Sequence, residues 1–253
     1  MKTYKSVSKK RFLYKKKIVN GWIHIDSILS AKVMAKSDFN SLTIDLQHGM
    51  LGFDKCKEIL QVIRGYNIFP IVRVPYNNIG IINKVIDAGA YGIICPLVNN
   101  KKESQIFTNA CYYPPKGNRS FGPTLASLDK EDYFEKSNFE ICSIAMIETK
   151  ESVDNLSEIL TNKDLDMLYV GPYDLSISHG VSPNNVFDNN KMMKLYIRIL
   201  ELAKSKKKKV AIHCSGPDTA SFFLKKDFDM VTISTDLNIL DDAISKQLQK
   251  VVL

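Results

Sequence analysis

The sequence predicts a (β/α)8 barrel, and three observations support this fold class. Short β-branched or aromatic apolar runs alternate with longer amphipathic stretches along almost the whole chain. The short runs number eight, and they are apolar nearly throughout, as parallel strands covered on both faces are. No Gly-x-Gly-x-x-Gly follows the first run, so the alternative, a doubly wound open sheet that binds a dinucleotide, lacks its phosphate-binding loop.

The eight predicted strands are bounded by Gly, Pro, Asp or Asn. In chain order they cover residues 21–25, 41–46, 69–74, 91–95, 142–147, 166–170, 209–213 and 229–234. Between them, apolar residues recur at intervals of three and four, which predicts helices over 54–64, 78–88, 150–160, 190–206 and 216–226. The stretch 112–140 is rich in Tyr, Pro, Gly, Asn and Ser, and we expect an irregular segment with a functional or assembly role.

Composition excludes several classes of protein. A chain of 253 residues with 45% hydrophobic and 25% charged residues is typical of a globular protein with a sizeable core. No apolar run approaches the roughly 18 to 20 residues that span a bilayer. The five Cys show no paired spacing of the kind found in disulfide frameworks or structural zinc sites. We therefore expect a cytoplasmic protein with no membrane partner.

The net charge of +8 comes from one end of the chain. Residues 1–17 contain eight Lys and Arg and no acidic residue, which leaves 27 basic against 27 acidic residues in the rest. A neutral body argues against specific nucleic-acid binding, which needs a basic stripe on the folded surface. We predict a basic N-terminal segment over 1–17, either a solvated first helix or a transit peptide, followed by a single domain over 18–253.

Two acidic residues indicate a metal site. In a barrel of this type the catalytic groups stand at the C-terminal ends of the strands. Glu148 ends the fifth predicted strand, where burial of an unpaired carboxylate is costly, and Asp174 follows the sixth. Two carboxylates with water ligands usually hold Mg²⁺ or Mn²⁺. The alternative is that each acid only caps or begins the helix that follows it.

Basic residues at the same strand ends complete the candidate site. Arg73 lies in an apolar run, where its guanidinium either stabilises an oxyanion or forms an internal ion pair with Asp45. His48 follows Asp45 by three residues, so the carboxylate either fixes the imidazole tautomer or the His is structural. His24 is assigned a structural role, and His213 either lines the pocket or fills space at its rim. No nucleophile elbow and no lone strand Lys is present, which favours metal-assisted carbonyl chemistry.

Motifs spread over most of the chain resemble those of the metal-dependent (class II) pyruvate aldolases. In order they are GWIHIDS (21–27), IDLQHG (44–49), PIVRVP (70–75), IDAGAYGIICPLV (86–98), YYPPKGNRSFGP (112–123), MIET (146–149), YVGPYDLSISHG (169–180) and FDMVTISTD (228–236). This family includes 4-hydroxy-2-oxoheptanedioate aldolase and 2-dehydro-3-deoxyglucarate aldolase, and the citrate lyase β chain is related to it. The resemblance implies a barrel of the phosphoenolpyruvate/pyruvate-binding type. It also implies that the last helix is swapped between subunits of a homo-oligomer, commonly a hexamer built as a trimer of dimers.

The resemblance also implies how a 2-oxo acid is bound. Glu148 and Asp174 match the ligands of a divalent metal ion, which is Mg²⁺, Mn²⁺ or Co²⁺. Gly171, Pro172, Tyr173 and Asp174 match the segment that binds the pyruvate carboxylate through N–H groups at the start of a helix. Pro172 has no N–H, so this role is expected of Tyr173 and Asp174.

Residues on the other strands match the groups that perform the reaction. The resemblance implies that His48 is the general base and that Arg73 stabilises the enolate oxygen. Asp87, in the motif IDAGA, matches a carboxylate that raises the basicity of the His, with Asp45 as the local alternative.

The implied reaction is the reversible cleavage of a 4-hydroxy-2-oxo acid to pyruvate and an aldehyde through a metal-stabilised enolate. Gln47 and Met146 depart from some members, which have Glu and Gln there, and we expect these differences to affect specificity. The alternatives are a citrate-lyase-type enzyme for a CoA thioester, for which the body offers no confined basic cluster, and a catalytically silent barrel that binds a small acid. A nucleic-acid binder acting through its N-terminal tail is a further alternative.

Overall fold

The computed structural model describes residues 7–128 and 130–251. Eight parallel strands form a closed barrel in which each strand pairs with its neighbours in the sequence and the last pairs with the first. The strands are β1 Ile18–Ile23, β2 Ser41–Asp45, β3 Phe69–Arg73, β4 Gly92–Cys95, β5 Cys142–Ile147, β6 Met167–Val170, β7 Lys209–His213 and β8 Met230–Thr235. The predicted (β/α)8 fold is confirmed, and every predicted strand overlaps an observed one.

Helices surround the barrel and connect its strands. They are α1 Lys9–Leu13, α2 Ile28–Lys36, α3 Phe53–Ile63, α4 Ile79–Asp87, α5 Lys101–Cys111, α6 Tyr133–Glu140, α7 Lys150–Asp154, α8 Leu156–Ile159, α9 Pro172–Ser178, α10 Asn190–Ser205, α11 Pro217–Lys225 and α12 Asp236–Leu248. The prediction of an irregular stretch over 112–140 is wrong at its end. There α6 forms because Tyr133 and Ser137, four residues apart, are buried on one helix face.

Alternation along each strand decides which side chains enter the barrel. In β3, Phe69 and Ile71 belong to the cluster inside the barrel, whereas Val72 belongs to the cluster that faces the helices. Met146 occupies the same inward row in β5. Because side chains on a strand repeat every two residues, Arg73 and Glu148 continue these rows at the C-terminal end of the barrel. The strand period therefore places both charges at one end of the barrel interior.

Helix α1 covers the opposite end of the barrel. Phe12 is buried and its ring stacks on that of Phe69, with centroids 4.1 Å apart. Lys9 forms an ion pair with Asp166 at 2.7 Å. The predicted first helix is present, but one of its faces is packed rather than solvated. Residues 1–6 of the basic segment lie outside the described residues.

The last helix leaves an apolar face uncovered in the single chain. Only Asp236 of α12 is buried. Leu237, Leu240, Ile244 and Leu248, spaced three and four apart, form an exposed stripe on one side of it. A stripe of this kind normally packs against another element. None of the described helices combines the length and the apolarity needed to cross a membrane.

Candidate active site

A cavity of about 310 Å³ opens at the C-terminal ends of the strands. Of the predicted site residues, those that line it are His48, Arg73, Gly171, Pro172, Tyr173 and Asp174. Two further predicted residues border this group through their contacts, since Asp45 binds Arg73 and Glu148 lies against Gly171. The structure therefore brings together all but one of the predicted site residues, and Asp87 is the exception.

Asp45 is a fully satisfied buried carboxylate. Its oxygens accept hydrogen bonds from Trp22 Nε1 at 3.1 Å, His24 Nε2 at 2.7 Å, and Arg73 Nε and Nη2 at 2.8 and 2.5 Å. Two backbone N–H groups of the following turn add bonds of 3.0 and 3.3 Å. Burial alone would raise the pKa of Asp45, but the hydrogen bonds from His24 and Arg73 and the charge of Arg73 hold it well below its usual range. Asp45 is therefore an anion at any working pH.

Arg73 uses only part of its hydrogen-bonding capacity in this ion pair. Its guanidinium lies over the ring of Trp22, 4.9 Å from the centroid. The internal ion pair that the sequence offered as one alternative is present, but it engages only Nε and Nη2. The nearest acceptor to Nη1 is the sulfur of Met146, at 4.0 Å, which is a weak partner. Because guanidinium has five N–H donors, Arg73 keeps donors for a ligand in the cavity.

Glu148 is the opposite case, a buried carboxylate with little compensation. It is 2% exposed, and its Oε1 accepts one hydrogen bond, from the backbone N–H of Leu97 at 2.7 Å. Its Oε2 has no hydrogen-bond partner among the described residues. Burial raises the pKa of Glu148 to about 7, with the charge of Asp174 adding to the increase and the Leu97 N–H opposing it. A positive charge beside Glu148 would oppose both the cost of burying the carboxylate and its repulsion by Asp174.

The surroundings of Glu148 leave room for a cation. A Cβ at position 171 would lie 3.0 Å from Glu148 Oε2 and 2.8 Å from Met146 Cε, so only Gly171 keeps this space open. Asp174 is exposed in the first turn of α9 and forms no hydrogen bond or ion pair within the described chain. Two carboxylates with free oxygens are a donor set that fits a hard divalent cation. Since the described residues contain no group of three or more His, Cys, Asp or Glu that could hold a metal, the other ligands would be water or substrate.

The backbone before Asp174 leaves N–H groups free. The first internal hydrogen bond at this end of α9 runs from the N–H of Leu175 to the carbonyl of Gly171, at 3.1 Å. The N–H groups of Tyr173 and Asp174 precede it and have no partner within the helix, while Pro172 has no N–H to offer. These two donors point outward from the start of a helix, where an anion is favoured.

In the single chain, the His48 ring binds neither of the two carboxylates that were expected to orient it. His48 is exposed in the turn after β2, and only its backbone N–H reaches Asp45, at 3.3 Å. The imidazole that binds Asp45 belongs to His24 instead. Asp87 ends α4, which returns the chain to the opposite end of the barrel, and it pairs there with Arg119 at 2.6 Å. Within one chain, neither carboxylate therefore orients the His48 ring.

Two further His residues line the cavity: His24, which the sequence assigned to a structural role, and His213, for which lining the pocket was one of two alternatives. His24 lines the cavity and binds Asp45, although it was assigned a structural role. His213 also lines the cavity, its Nδ1 lies 3.1 Å from Tyr169 Oη, and burial together with the charges of Arg73 and His24 lowers its pKa to about 3. The signal that finds both is the strand period, because each stands two residues after an inward-facing position.

Comparison with known proteins identifies related sequences over most of the chain. A family model described as HpcH/HpaI aldolase/citrate lyase matches residues 21–243. A hydroxypyruvate/pyruvate aldolase of Rhizorhabdus wittichii is 34% identical over 224 residues, which cover 88% of this chain and 89% of the relative. A 4-hydroxy-2-oxo-heptane-1,7-dioate aldolase of Escherichia coli is 33% identical over 167 residues, or 64% of each chain.

Solved structures share the fold. The crystal structure of an HpcH/HpaI aldolase/citrate lyase family protein from Burkholderia cenocepacia superposes with a TM-score of 0.89. It covers 96% of this chain and 97% of that chain at 23% sequence identity, so this likeness concerns the fold alone.

Proposed function

The chain belongs to the HpcH/HpaI aldolase/citrate lyase family and is a lyase, and from this premise we propose the reaction and its site. We propose reversible cleavage of a 4-hydroxy-2-oxo acid to pyruvate and an aldehyde, with a divalent metal ion held by Glu148 and Asp174. The observation that carries the proposal is the buried Glu148 carboxylate, which has one free oxygen beside Gly171 and a pKa raised to about 7. An uncompensated acid in a cavity that also contains Arg73 is suited to a cation and a 2-oxo acid.

A divalent metal ion, when bound, would supply the electrophile. A bound divalent cation acts as a Lewis acid toward the oxygen of a carbonyl group. Mg²⁺, Mn²⁺ and Co²⁺ all fit a donor set of two carboxylates completed by water or substrate. Glu148 and Asp174 would hold the ion, and Gly171 keeps the space next to Glu148 free of side-chain atoms.

Arg73 and the start of α9 bind and orient the substrate. The unengaged N–H groups of Arg73 donate to the 2-oxo oxygen, which becomes negative as the enolate forms. Asp45 fixes the guanidinium for this task and balances its charge. The free N–H groups of Tyr173 and Asp174 bind the substrate carboxylate.

His48 moves the proton. In the cleavage direction it accepts the proton of the C4 hydroxyl, the bond between C3 and C4 breaks, and the aldehyde leaves. The electron pair of that bond becomes the enolate of pyruvate, and return of a proton to C3 forms the methyl group. Exposure of His48 on the rim of the cavity allows proton exchange with water.

The assembly and the compartment are also part of the proposal. The uncovered stripe on α12 supports a homo-oligomer in which this helix packs on a neighbouring subunit, as a hexamer built from a trimer of dimers. All five Cys are unpaired and buried, which supports residence in the reducing cytoplasm.

We favour the aldolase over a lyase for CoA thioesters. A CoA ester carries several phosphates, and among the described residues Arg73 is the single Lys or Arg that lines the cavity. The Arg73–Asp45 ion pair and the open Glu148 site argue against a catalytically silent barrel, which has no need of them.

The test is a coupled assay of pyruvate release over a panel of 4-hydroxy-2-oxo acids. We expect turnover that is lost with EDTA and restored by Mg²⁺, Mn²⁺ or Co²⁺. Turnover that is insensitive to the chelator would refute the metal site. Release of pyruvate from none of the acids, with metal present and the protein folded, would refute the reaction.

A further inference from the structure

The part of the cavity wall formed by the ends of β7 and β8 is polar, and among the described residues it contains no Lys or Arg. In the closed barrel β7 is the neighbour of β6, which leads to Asp174, and β7 and β8 lie across from β3 and β4. The side chains of this wall are His213, Cys214, Ser215, Ser234, Thr235 and Asn238. Arg73, which also lines the cavity, has its charge balanced by the ion pair with Asp45. Behind this wall, the buried carboxylate of Asp236 binds the backbone N–H of His24 at 2.8 Å, which adds negative rather than positive charge.

The hydrogen bonds of His213 fix which ring nitrogen carries the proton. The hydroxyl of Tyr169 donates to Thr232 Oγ1 at 2.7 Å. The oxygen of Tyr169 must therefore accept from Nδ1 of His213, 3.1 Å away, because the hydroxyl has a single proton. His213 Nε2 then has a lone pair, and no described residue binds it.

His213 stays neutral over the working pH range. Burial, with the charges of Arg73 and His24, lowers its pKa to about 3. A neutral imidazole with its proton on Nδ1 presents a pure hydrogen-bond acceptor at Nε2. Such a group binds a hydroxyl donor and offers nothing to a carboxylate or a phosphate.

We infer that the aldehyde half of the substrate is a neutral hydroxyaldehyde whose hydroxyl donates to Nε2 of His213. This inference rests on the proposed aldolase reaction and names its substrate class. The wall formed by β7 and β8 then distinguishes hydroxylated aldehydes from aldehydes that carry a second carboxylate. Cleavage of a 4-hydroxy-2-oxo-heptane-1,7-dioate gives an aldehyde of the second kind, so His213 is a specificity-determining residue that separates the two substrate classes.

The experiment measures kcat/KM for aldol addition of pyruvate to three aldehydes. Glycolaldehyde and propanal differ by a hydroxyl in place of a methyl group, and succinic semialdehyde carries a carboxylate. We expect glycolaldehyde to exceed propanal about tenfold, as one hydrogen bond allows, and to exceed succinic semialdehyde as well. In His213→Leu the ratio of glycolaldehyde to propanal falls to near one.

Matched variants separate recognition from folding. His213→Gln keeps an acceptor oxygen and is expected to retain part of the ratio, so it serves as the test if His213→Leu does not fold. His179→Leu makes the same change at a His that does not line the cavity, and the ratio should stay as in the wild type.

Equal rates for glycolaldehyde and propanal in the wild type, a ratio unchanged in both His213 variants, or a preference for succinic semialdehyde would overturn the inference while leaving the aldolase proposal in place. Absence of product with every aldehyde would instead count against the proposed function itself, and with it against this inference.

Discussion

Two carboxylates buried at the same end of the barrel have opposite electrostatics. On the β1–β3 side, Asp45 accepts hydrogen bonds from three side chains and two backbone N–H groups, and its pKa is held well below the usual range. On the β5–β6 side, Glu148 accepts one, and its pKa rises to about 7. Burial is similar, so the number of donors decides the charge state. The protein's own donors satisfy the carboxylate of Asp45, and we call the β1–β3 side the complete side. The carboxylate of Glu148 is left for a ligand to satisfy, and we call the β5–β6 side the incomplete side.

The largest expected effect comes from removing the charge on the incomplete side. Glu148→Gln should lower kcat/KM about 1,000-fold or more, since a metal ion contributes several kcal/mol to the transition state. The same substitution should not destabilise the metal-free protein, because it removes an uncompensated buried charge. Steady-state kinetics and thermal unfolding of the metal-free variant check both parts.

The matched change on the complete side is expected to behave in the reverse way. Asp45→Asn leaves Arg73 buried without its counter-charge and should destabilise the protein by about 3 to 5 kcal/mol. Denaturant unfolding measures this loss. Equal stability losses in the Glu148 and Asp45 variants would remove the distinction between the two sides.

Removal of Arg73 tests a residue that forms the ion pair with Asp45 and also lines the cavity. Arg73→Ala should depress kcat about 100-fold, the usual cost of losing one donor to a developing oxyanion, with a smaller effect on KM. It should also lower stability, because Asp45 loses its ion-pair partner. A variant that is unstable but has an unchanged kcat would restrict Arg73 to a structural role.

The pH dependence of stability is expected to differ between the wild type and Glu148→Gln. In the metal-free wild type the folded protein holds the Glu148 proton more tightly than the unfolded chain, with a pKa of about 7 against 4.5. The free energy of unfolding of the wild type relative to Glu148→Gln should therefore fall as pH rises from 4.5 to about 7, by about 3 kcal/mol in total. Titration of other groups, including His213, is common to both proteins and cancels in this difference. Urea unfolding at several pH values measures it, and a constant difference would show that Glu148 is already compensated in the metal-free protein.

The smallest effect is expected from a substitution that fills the space beside Glu148 without changing any charge. Gly171→Ala places a methyl group against Glu148 Oε2 and should weaken Mn²⁺ binding about tenfold. Gly52→Ala is the control, because a Cβ there meets no atom within 4 Å. Isothermal titration with Mn²⁺ measures both, and equal affinities would show that the space beside Gly171 is not used by the ion.

Much of the fold and part of the site follow from the sequence. Short apolar runs identify parallel strands because both faces of such strands are buried. Glu148 and Arg73 stand out because a charge inside an apolar strand needs a polar environment. His24 was missed because one His in a strand carries no such signal until the inward parity of β1 is known.

The remaining features depend on distances between parts of the chain that are far apart in sequence. Asp87 and Asp45 are both acids near an apolar segment, and only the direction of α4 and β2 separates their environments. Asp45 is satisfied by donors from β1 and β3, which pair with β2 only in the closed barrel. The sequence did not predict α6, because the helix is short and Asn, Pro and Gly in the preceding residues are typical of an irregular segment.

The most direct measurement of the difference between the two sides is a Mn²⁺ titration followed by electron paramagnetic resonance, at pH 8 with and without pyruvate. We expect one bound ion per chain in the wild type, and loss of that ion in both Glu148→Gln and Asp174→Asn while each variant stays folded. Binding of Mn²⁺ with wild-type affinity in both variants would place the metal elsewhere and contradict the account.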